Sequence, residues 1–110
     1  MGKPHEQLEA WKFSMRLVKA VDQMTATSPA EERYRLSQQM RRAAVSIPSN
    51  IAERVGLNNA KEFLNFIGIS RGSLAELETQ LQLAVMLGFT AQDHQAFELA
   101  NSTGKLLTGL

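Results

Sequence analysis

The stretch QMRRAAVSIPSNIAE, residues 39–53, decides the fold of this chain. Its apolar residues recur at steps of three and four, as they do on one face of an α-helix. Pro48 interrupts that helix, because proline lacks an N–H and clashes with the carbonyl of Ala44. The apolar period nevertheless continues from Ile47 to Ile51, which favours a continuous helix with a kink at Pro48. A break at Pro48, followed by a second short helix, is the alternative.

Three segments of the pattern Ser/Thr/Asn-x-x-Glu/Asp divide the rest of the chain. In this pattern the first side chain accepts a hydrogen bond from a free backbone N–H, and the acid reaches back to the helix start. The segments begin at Ser28, Asn59 and Thr90, and each precedes an apolar-periodic run. They predict four helices, at about residues 5–24, 29–54, 60–87 and 91–107, in one domain of residues 1–110.

The connections between these helices are short, and Gly88 is predicted to end the third helix. Short connections require neighbouring helices to be antiparallel. The predicted fold is therefore all-α, an antiparallel up-down-up-down four-helix bundle with helix 2 kinked at Pro48.

The two central helices carry the clearest core stripes. Those of the second helix are Leu36, Met40, Ala43, Ile47 and Ile51, and those of the third are Phe63, Ile67, Ser70, Leu74, Leu77, Leu81 and Ala84. Gly68 and Gly72 lie inside the third helix, where each costs about 1 kcal/mol relative to alanine. We interpret them as positions where the backbone around Pro48 comes close. A merely less stable helix is the alternative.

The first helix has two apolar stripes rather than one. The first stripe is Leu8, Trp11, Met15 and Val18, and the second is Phe13, Leu17, Ala20, Val21 and Met24. A helix at the edge of a monomeric bundle needs only one stripe. The second stripe is therefore predicted to be a subunit interface, so that Leu17→Glu would give soluble monomers. Alternatively, the bundle itself covers this helix from two sides.

Composition narrows the class of protein. The chain has 110 residues, no cysteine, 44% hydrophobic residues and a net charge of +1. It has no apolar run of membrane-spanning length and no secretory leader pattern, and these features predict a cytoplasmic protein without disulfides or thiolate metal sites. Positive charge is concentrated in residues 1–55, which hold nine Lys/Arg against six Asp/Glu. Chance in a short chain is the alternative explanation for this bias.

Catalytic chemistry is not indicated. The two histidines, His5 and His94, are expected to face solvent, and no Glu-x-x-His pair suggests a metal site in the bundle. Ser70 and Ser73 are interpreted as packing residues, because no histidine is placed to activate either of them. We therefore predict no enzyme, no metal, no cofactor and no small-molecule substrate.

Basic residues on the first two helices suggest a second activity. The candidate nucleic-acid-binding residues are Lys12, Arg16, Lys19, Arg33, Arg35 and Arg41. A basic strip on helices 1 and 2 would contact phosphates, with an affinity that falls as salt rises. The alternative for Arg41 and Arg42 is an ion pair with Glu53, Glu76 or Glu78 that fixes helix 2 to helix 3 or to a neighbouring subunit.

Several motifs together resemble one known family. They are the Leu8–Trp11 opening, RRAAVSIPSNIAE at residues 41–53, EFLNF at residues 62–66 and SRGSLAELETQL at residues 70–81. The chain resembles the 23S rRNA intervening-sequence proteins, also called four-helix bundle proteins. It departs from their pattern after Glu53, where Arg54 stands in place of the usual glycine.

The resemblance implies a bacterial homo-oligomer, with a pentameric ring as the expected form and RNA as the candidate partner. It also implies structural or interface roles for the motif residues Arg42, Ser46, Pro48, Ser49, Asn50, Glu53, Arg71, Gly72, Ser73 and Glu76.

Overall fold

The computed structural model describes residues 4–26, 31–55 and 60–110, without the side chains of residues 31–33, 54, 55 and 60. A short 3-10 helix, Pro4–Gln7, precedes four α-helices: α1 is Glu9–Thr25, α2 is Glu31–Val55, α3 is Ala60–Met86 and α4 is Gln95–Thr108. The described residues contain no strand. The prediction of an all-α, four-helix fold is confirmed. No helix among the described residues is both long and apolar enough to cross a bilayer.

Each helix packs against two others, in the order α1–α2–α3–α4–α1, and the contact between α2 and α3 is the most extensive. The bundle is elongated, with principal extents of 45 × 25 × 20 Å. Thr25 near the end of α1 meets Arg41 of α2, and Ser46 of α2 meets Ser73 of α3. These contacts are consistent with antiparallel neighbours. The up-down direction of the four helices itself stays a prediction.

The predicted core stripes of α2 and α3 are confirmed. Ile47, Ile51, Leu77 and Leu81 are fully buried, and the remaining members of both stripes are buried or packed against them. The helix α2 is continuous through Pro48, which excludes the alternative of a break, while the kink stays a prediction.

The interface predicted on α1 is wrong. Leu17, Ala20 and Val21 have 0%, 2% and 0% of their surface exposed inside a single protomer. Met24 packs against the same core and Phe13 is half-buried. The physical reason is that α1 contacts both α2 and α4, so the bundle covers it from two sides. A glutamate at position 17 would therefore disrupt the core rather than give soluble monomers.

The close approach predicted at Gly68 and Gly72 is also wrong. Both glycines are exposed, and a Cβ added at either position would meet no atom within 4 Å. Ser70 and Ser73, on the other side of α3, are the small residues that face α2.

The end of α3 forms as the sequence predicts. Gly88 has a φ of +78°, the left-handed conformation that favours glycine. The N–H of Phe89 donates to the carbonyl of Ala84 at 2.8 Å, and the N–H of Gly88 donates to the carbonyl of Val85 at 3.0 Å. This pair of bonds is a Schellman motif, and it folds Phe89 back onto the core.

The predicted start of α4 is corrected by four residues. The cap is His94 rather than Thr90, because the His94 Nδ1 accepts a hydrogen bond from the N–H of Ala96 at 3.1 Å. His94 is half-buried, not solvent-facing. The predicted caps at Ser28 and Asn59 lie outside the described residues.

Candidate functional site

An apolar groove runs along the outside of the bundle between α1 and α2, and its volume is about 390 Å³. We call it the α1–α2 groove; it is lined by Trp11, Met15, Val18, Val45, Pro48, Ser49 and Ala52. Met15 is 44% exposed and Val45 is 49% exposed. The first stripe of α1 therefore leaves apolar surface uncovered at Met15.

Trp11 forms one wall of this groove, and the His5 ring packs against its indole. The rings of His5 and Trp11 meet edge to face, with their centroids 5.3 Å apart. The 3-10 helix that carries His5 also contacts α2. Because the indole is fixed on that side, this wall of the groove is preformed.

The serines of the central motif join α2 to α3 through hydrogen bonds. The hydroxyls of Ser46 and Ser73 are 2.8 Å apart, and the buried Ser70 Oγ donates to the carbonyl of Ile47 at 3.0 Å. The Asn50 amide donates to the carbonyl of Ser46 at 2.8 Å and to its hydroxyl at 3.0 Å. The bonds of Ser73 and Ser70 join α3 to α2, and those of Asn50 hold the Ser46 hydroxyl in place within α2.

Arg41 contacts α1 instead of standing free. Its Nε donates to the Thr25 hydroxyl at 2.8 Å and lies 3.7 Å from the Asp22 carboxylate. Since Asp22 opposes its charge, Arg41 is a poorer phosphate ligand than the sequence suggested. Thr25 in turn donates to the carbonyl of Val21 at 2.8 Å, so the contact is anchored in α1.

The ion pair predicted for Arg42 is not found in one protomer. Arg42 is exposed, and among the described residues it pairs with no carboxylate. Glu53 is also exposed, and Glu76 accepts a hydrogen bond from the Gln80 amide at 3.1 Å. Arg71 and Gly72 lie exposed on α3. The intramolecular pair is therefore wrong, and a contact of Arg42 with another subunit stays a prediction.

A second groove, of about 550 Å³, lies between α1 and α4. We call it the α1–α4 groove; it is lined by Phe13, Arg16, Lys19, Ala20, Gln23, Gln95, Glu98, Leu99 and Ser102. Arg16 stands over the Phe13 ring, with its Cζ 4.8 Å from the ring centroid. The side-chain amide of Gln95 donates to the side-chain Oε1 of Gln23 at 3.2 Å and so links the two helices.

The predicted basic strip is divided by this arrangement. Arg16 and Lys19 line the α1–α4 groove, whereas Arg41 lies on the opposite flank of α1. Lys12 lies 3.4 Å from the Glu9 carboxylate. The division follows from packing, since Arg16 and Lys19 line the groove with α4 whereas Asp22 and Thr25 contact Arg41 of α2. Arg35 is exposed, and the side chain of Arg33 lies outside the described residues.

Sequence reasoning missed the wall that α4 contributes. Gln95, Glu98 and Ser102 follow each other at i, i+3 and i+7, the same spacing as Arg16, Lys19 and Gln23. This matched spacing of polar residues was the available signal. Only the packing of α4 against α1 brings the two rows together. No group of three His, Cys, Asp or Glu residues able to hold a metal ion occurs in the described part of the chain.

A solved protein structure has the same fold as this chain. The crystal structure of a protein of unknown function from the S23 ribosomal protein family of Bacteroides thetaiotaomicron VPI-5482 superposes with a TM-score of 0.78. It is 21% identical in sequence, and the match covers 91% of this chain and 92% of that chain. At this level of identity the likeness shows the fold. No curated protein matches the sequence.

A sequence model of a protein family matches nearly the whole chain, over residues 6–109. The match includes the motif that joins α2 to α3 and all four helices. It agrees with the resemblance stated above on the same motifs. The chain belongs to the 23S rRNA-intervening sequence protein family.

Proposed function

We propose that the chain is a non-catalytic bundle protein that assembles with copies of itself through the α1–α2 groove. The observation that carries this proposal is the half-exposed apolar pair Met15 and Val45 at the groove. Apolar surface of this kind gains free energy when a partner removes it from water.

A second exposed apolar surface is present on the same protomer. The last turn of α3 and its exit expose Leu83, Met86 and Leu87, which are 40%, 81% and 59% exposed. We call this surface the α3 tip. A groove on one copy and a tip on the next make a head-to-tail contact, which generates a closed ring when the rotation between copies closes. Five copies are the proposed number, on the family resemblance.

Two substitutions test the assembly. We expect wild-type protein to sediment as an oligomer, and Val45→Glu or Met86→Glu to sediment as folded monomers, because each places a charge in an apolar contact. Leu110→Glu is the matched control, since Leu110 is 39% exposed and lies in neither surface. A monomeric wild-type protein, or variants that assemble normally, would contradict the proposal.

Mixing the two variants tests the head-to-tail arrangement. Val45→Glu retains an intact α3 tip, and Met86→Glu retains an intact groove, so the mixture should form dimers that cannot grow. A symmetric contact of groove with groove would instead let Met86→Glu dimerise by itself, and adding Val45→Glu would form no further dimer. Sedimentation of the equimolar mixture distinguishes the two arrangements.

The second candidate function is RNA binding. It is favoured by Arg16 and Lys19, which are exposed and pair with no carboxylate among the described residues. Repetition around a ring would multiply the contacts if one RNA spans several subunits.

A titration with structured RNA at low and high salt tests this function. We expect the affinity to fall steeply with salt, because each phosphate contact releases counterions. Binding that is absent, or that does not respond to salt, would exclude it.

A further inference from the structure

The α1–α4 groove has the size and the mixed lining of a ligand site. Its volume of about 550 Å³ lies within the range of roughly 300–1,000 Å³ that is typical of small-molecule sites. The apolar side chains of Phe13, Ala20 and Leu99 line it together with six polar side chains. Such a combination suits a molecule that has both apolar and polar parts.

The cations of this groove are available to a ligand. Lys12, one turn before Arg16, has Glu9 at 3.4 Å, and Arg41 has Asp22 at 3.7 Å. Arg16 and Lys19 have no such carboxylate among the described residues, although Glu98 lines the same groove. A guanidinium and an ammonium close together on one wall match the oxygens of a phosphate group.

Arg16 is also positioned before any ligand arrives. Its guanidinium lies 4.8 Å from the centre of the Phe13 ring, and this cation–π contact restricts an otherwise mobile side chain. Both the guanidinium and the Phe13 ring beneath it line the groove. Nucleobases stack on arginine planes of this kind.

The opposite wall supplies a hydrogen-bond acceptor. Glu98 carries a carboxylate, and carboxylates accept hydrogen bonds from the exocyclic amino group of cytosine. The bonded amides of Gln23 and Gln95 bridge the two helices and keep the walls in place. The ligand therefore carries an anion at one position and an N–H donor at another.

We propose that the α1–α4 groove binds a nucleotide whose phosphate contacts Arg16 and Lys19 and whose amino-bearing base contacts Glu98. The nucleotide is either free or one unit of an RNA strand. The binding of an RNA strand rests on the second candidate function, whereas the binding of a free nucleotide does not.

Calorimetric titration with cytidine 5′-monophosphate tests the site in the full-length protein. We expect binding that weakens roughly tenfold in Arg16→Gln and in Lys19→Gln, because each loses a charge-assisted hydrogen bond. Lys12→Gln is the matched control, with the same charge change on the same helix outside the groove, and should bind as wild type. No binding by wild type, or an equal loss in Lys12→Gln, would overturn the proposal.

The base contact has its own readout. Uridine 5′-monophosphate carries a carbonyl where cytidine has its amino group, so wild type should prefer the cytidine nucleotide by several-fold. Glu98→Gln should reduce this preference and leave phosphate binding intact. Equal affinity of the wild type for both nucleotides would refute the role of Glu98.

A single-stranded oligoribonucleotide separates the site from the RNA function. Loss of RNA affinity in Arg16→Gln and Lys19→Gln, but not in Lys12→Gln, supports a groove that accepts a strand. RNA binding that is unchanged in both groove variants would exclude the groove as the place where RNA binds. The second candidate function, RNA binding by the protein, would then be retained. Nucleotide binding without RNA binding supports a site for the free nucleotide and removes that function instead.

Discussion

Replacing Leu17 by alanine is expected to lower the free energy of unfolding by about 2–5 kcal/mol. Leu17 has 0% of its surface exposed, so the substitution removes buried methyl groups and leaves a cavity that the four helices fill only partly. A domain of this size is stable by about 5–15 kcal/mol, so the loss is a large share of the total. Leu17→Glu should prevent folding, because a carboxylate would be buried without a partner.

Urea unfolding followed by far-ultraviolet circular dichroism measures this loss. The matched control is Lys12→Ala on the same helix, since the Lys12 side chain is 41% exposed and lies in neither groove, and its change should stay within roughly 0.5 kcal/mol. Both variants should be measured at several protein concentrations, because assembly contributes to apparent stability. A Leu17→Ala protein of normal stability but reduced mass would restore the interface interpretation of this stripe.

Replacing Ser70 by leucine is expected to destabilise the bundle by about 1–3 kcal/mol through overpacking alone. Ser70 is fully buried between α2 and α3, and its hydroxyl donates to the carbonyl of Ile47 at 3.0 Å. Losing that bond adds roughly 0.5–1.5 kcal/mol. Ser70→Ala removes the bond without adding volume and should therefore cost only the smaller amount.

Gly72→Ala, on the same helix, is expected to change the stability in the opposite direction. Gly72 is exposed, and an added Cβ meets nothing within 4 Å, so alanine should raise stability by up to about 1 kcal/mol. The same urea experiment measures all three variants. A Ser70→Leu protein as stable as wild type would show that α2 and α3 are not closely packed at this position. A destabilised Gly72→Ala protein would show that another subunit covers Gly72.

The core of α2 and α3 could be predicted well from the sequence, because the residues at the apolar repeat positions of these helices are also the buried ones. Ile47, Ile51, Leu77 and Leu81 each lie at a repeat position and are each fully buried. Periodicity specifies the direction in which a side chain points around its own helix. It does not specify what lies in that direction, which is why the stripe around Leu17 was assigned to a second subunit.

The remaining errors come from contacts between residues that are distant in sequence. Nothing near Arg41 indicated Thr25 as its partner, and nothing near Arg16 indicated a wall from α4. At the start of α4, a histidine whose ring nitrogen accepts a backbone hydrogen bond replaced the expected capping box. Local patterns can be read from one helix, whereas grooves exist only between two.

The position of α1 between α2 and α4 has a mechanical consequence. This helix is the wall that the two grooves have in common, so a rigid displacement that widens one of them narrows the other. A molecule bound in either groove therefore acts on the position of α1. By thermodynamic linkage, a ligand that alters self-association must have its own affinity altered by self-association to the same degree.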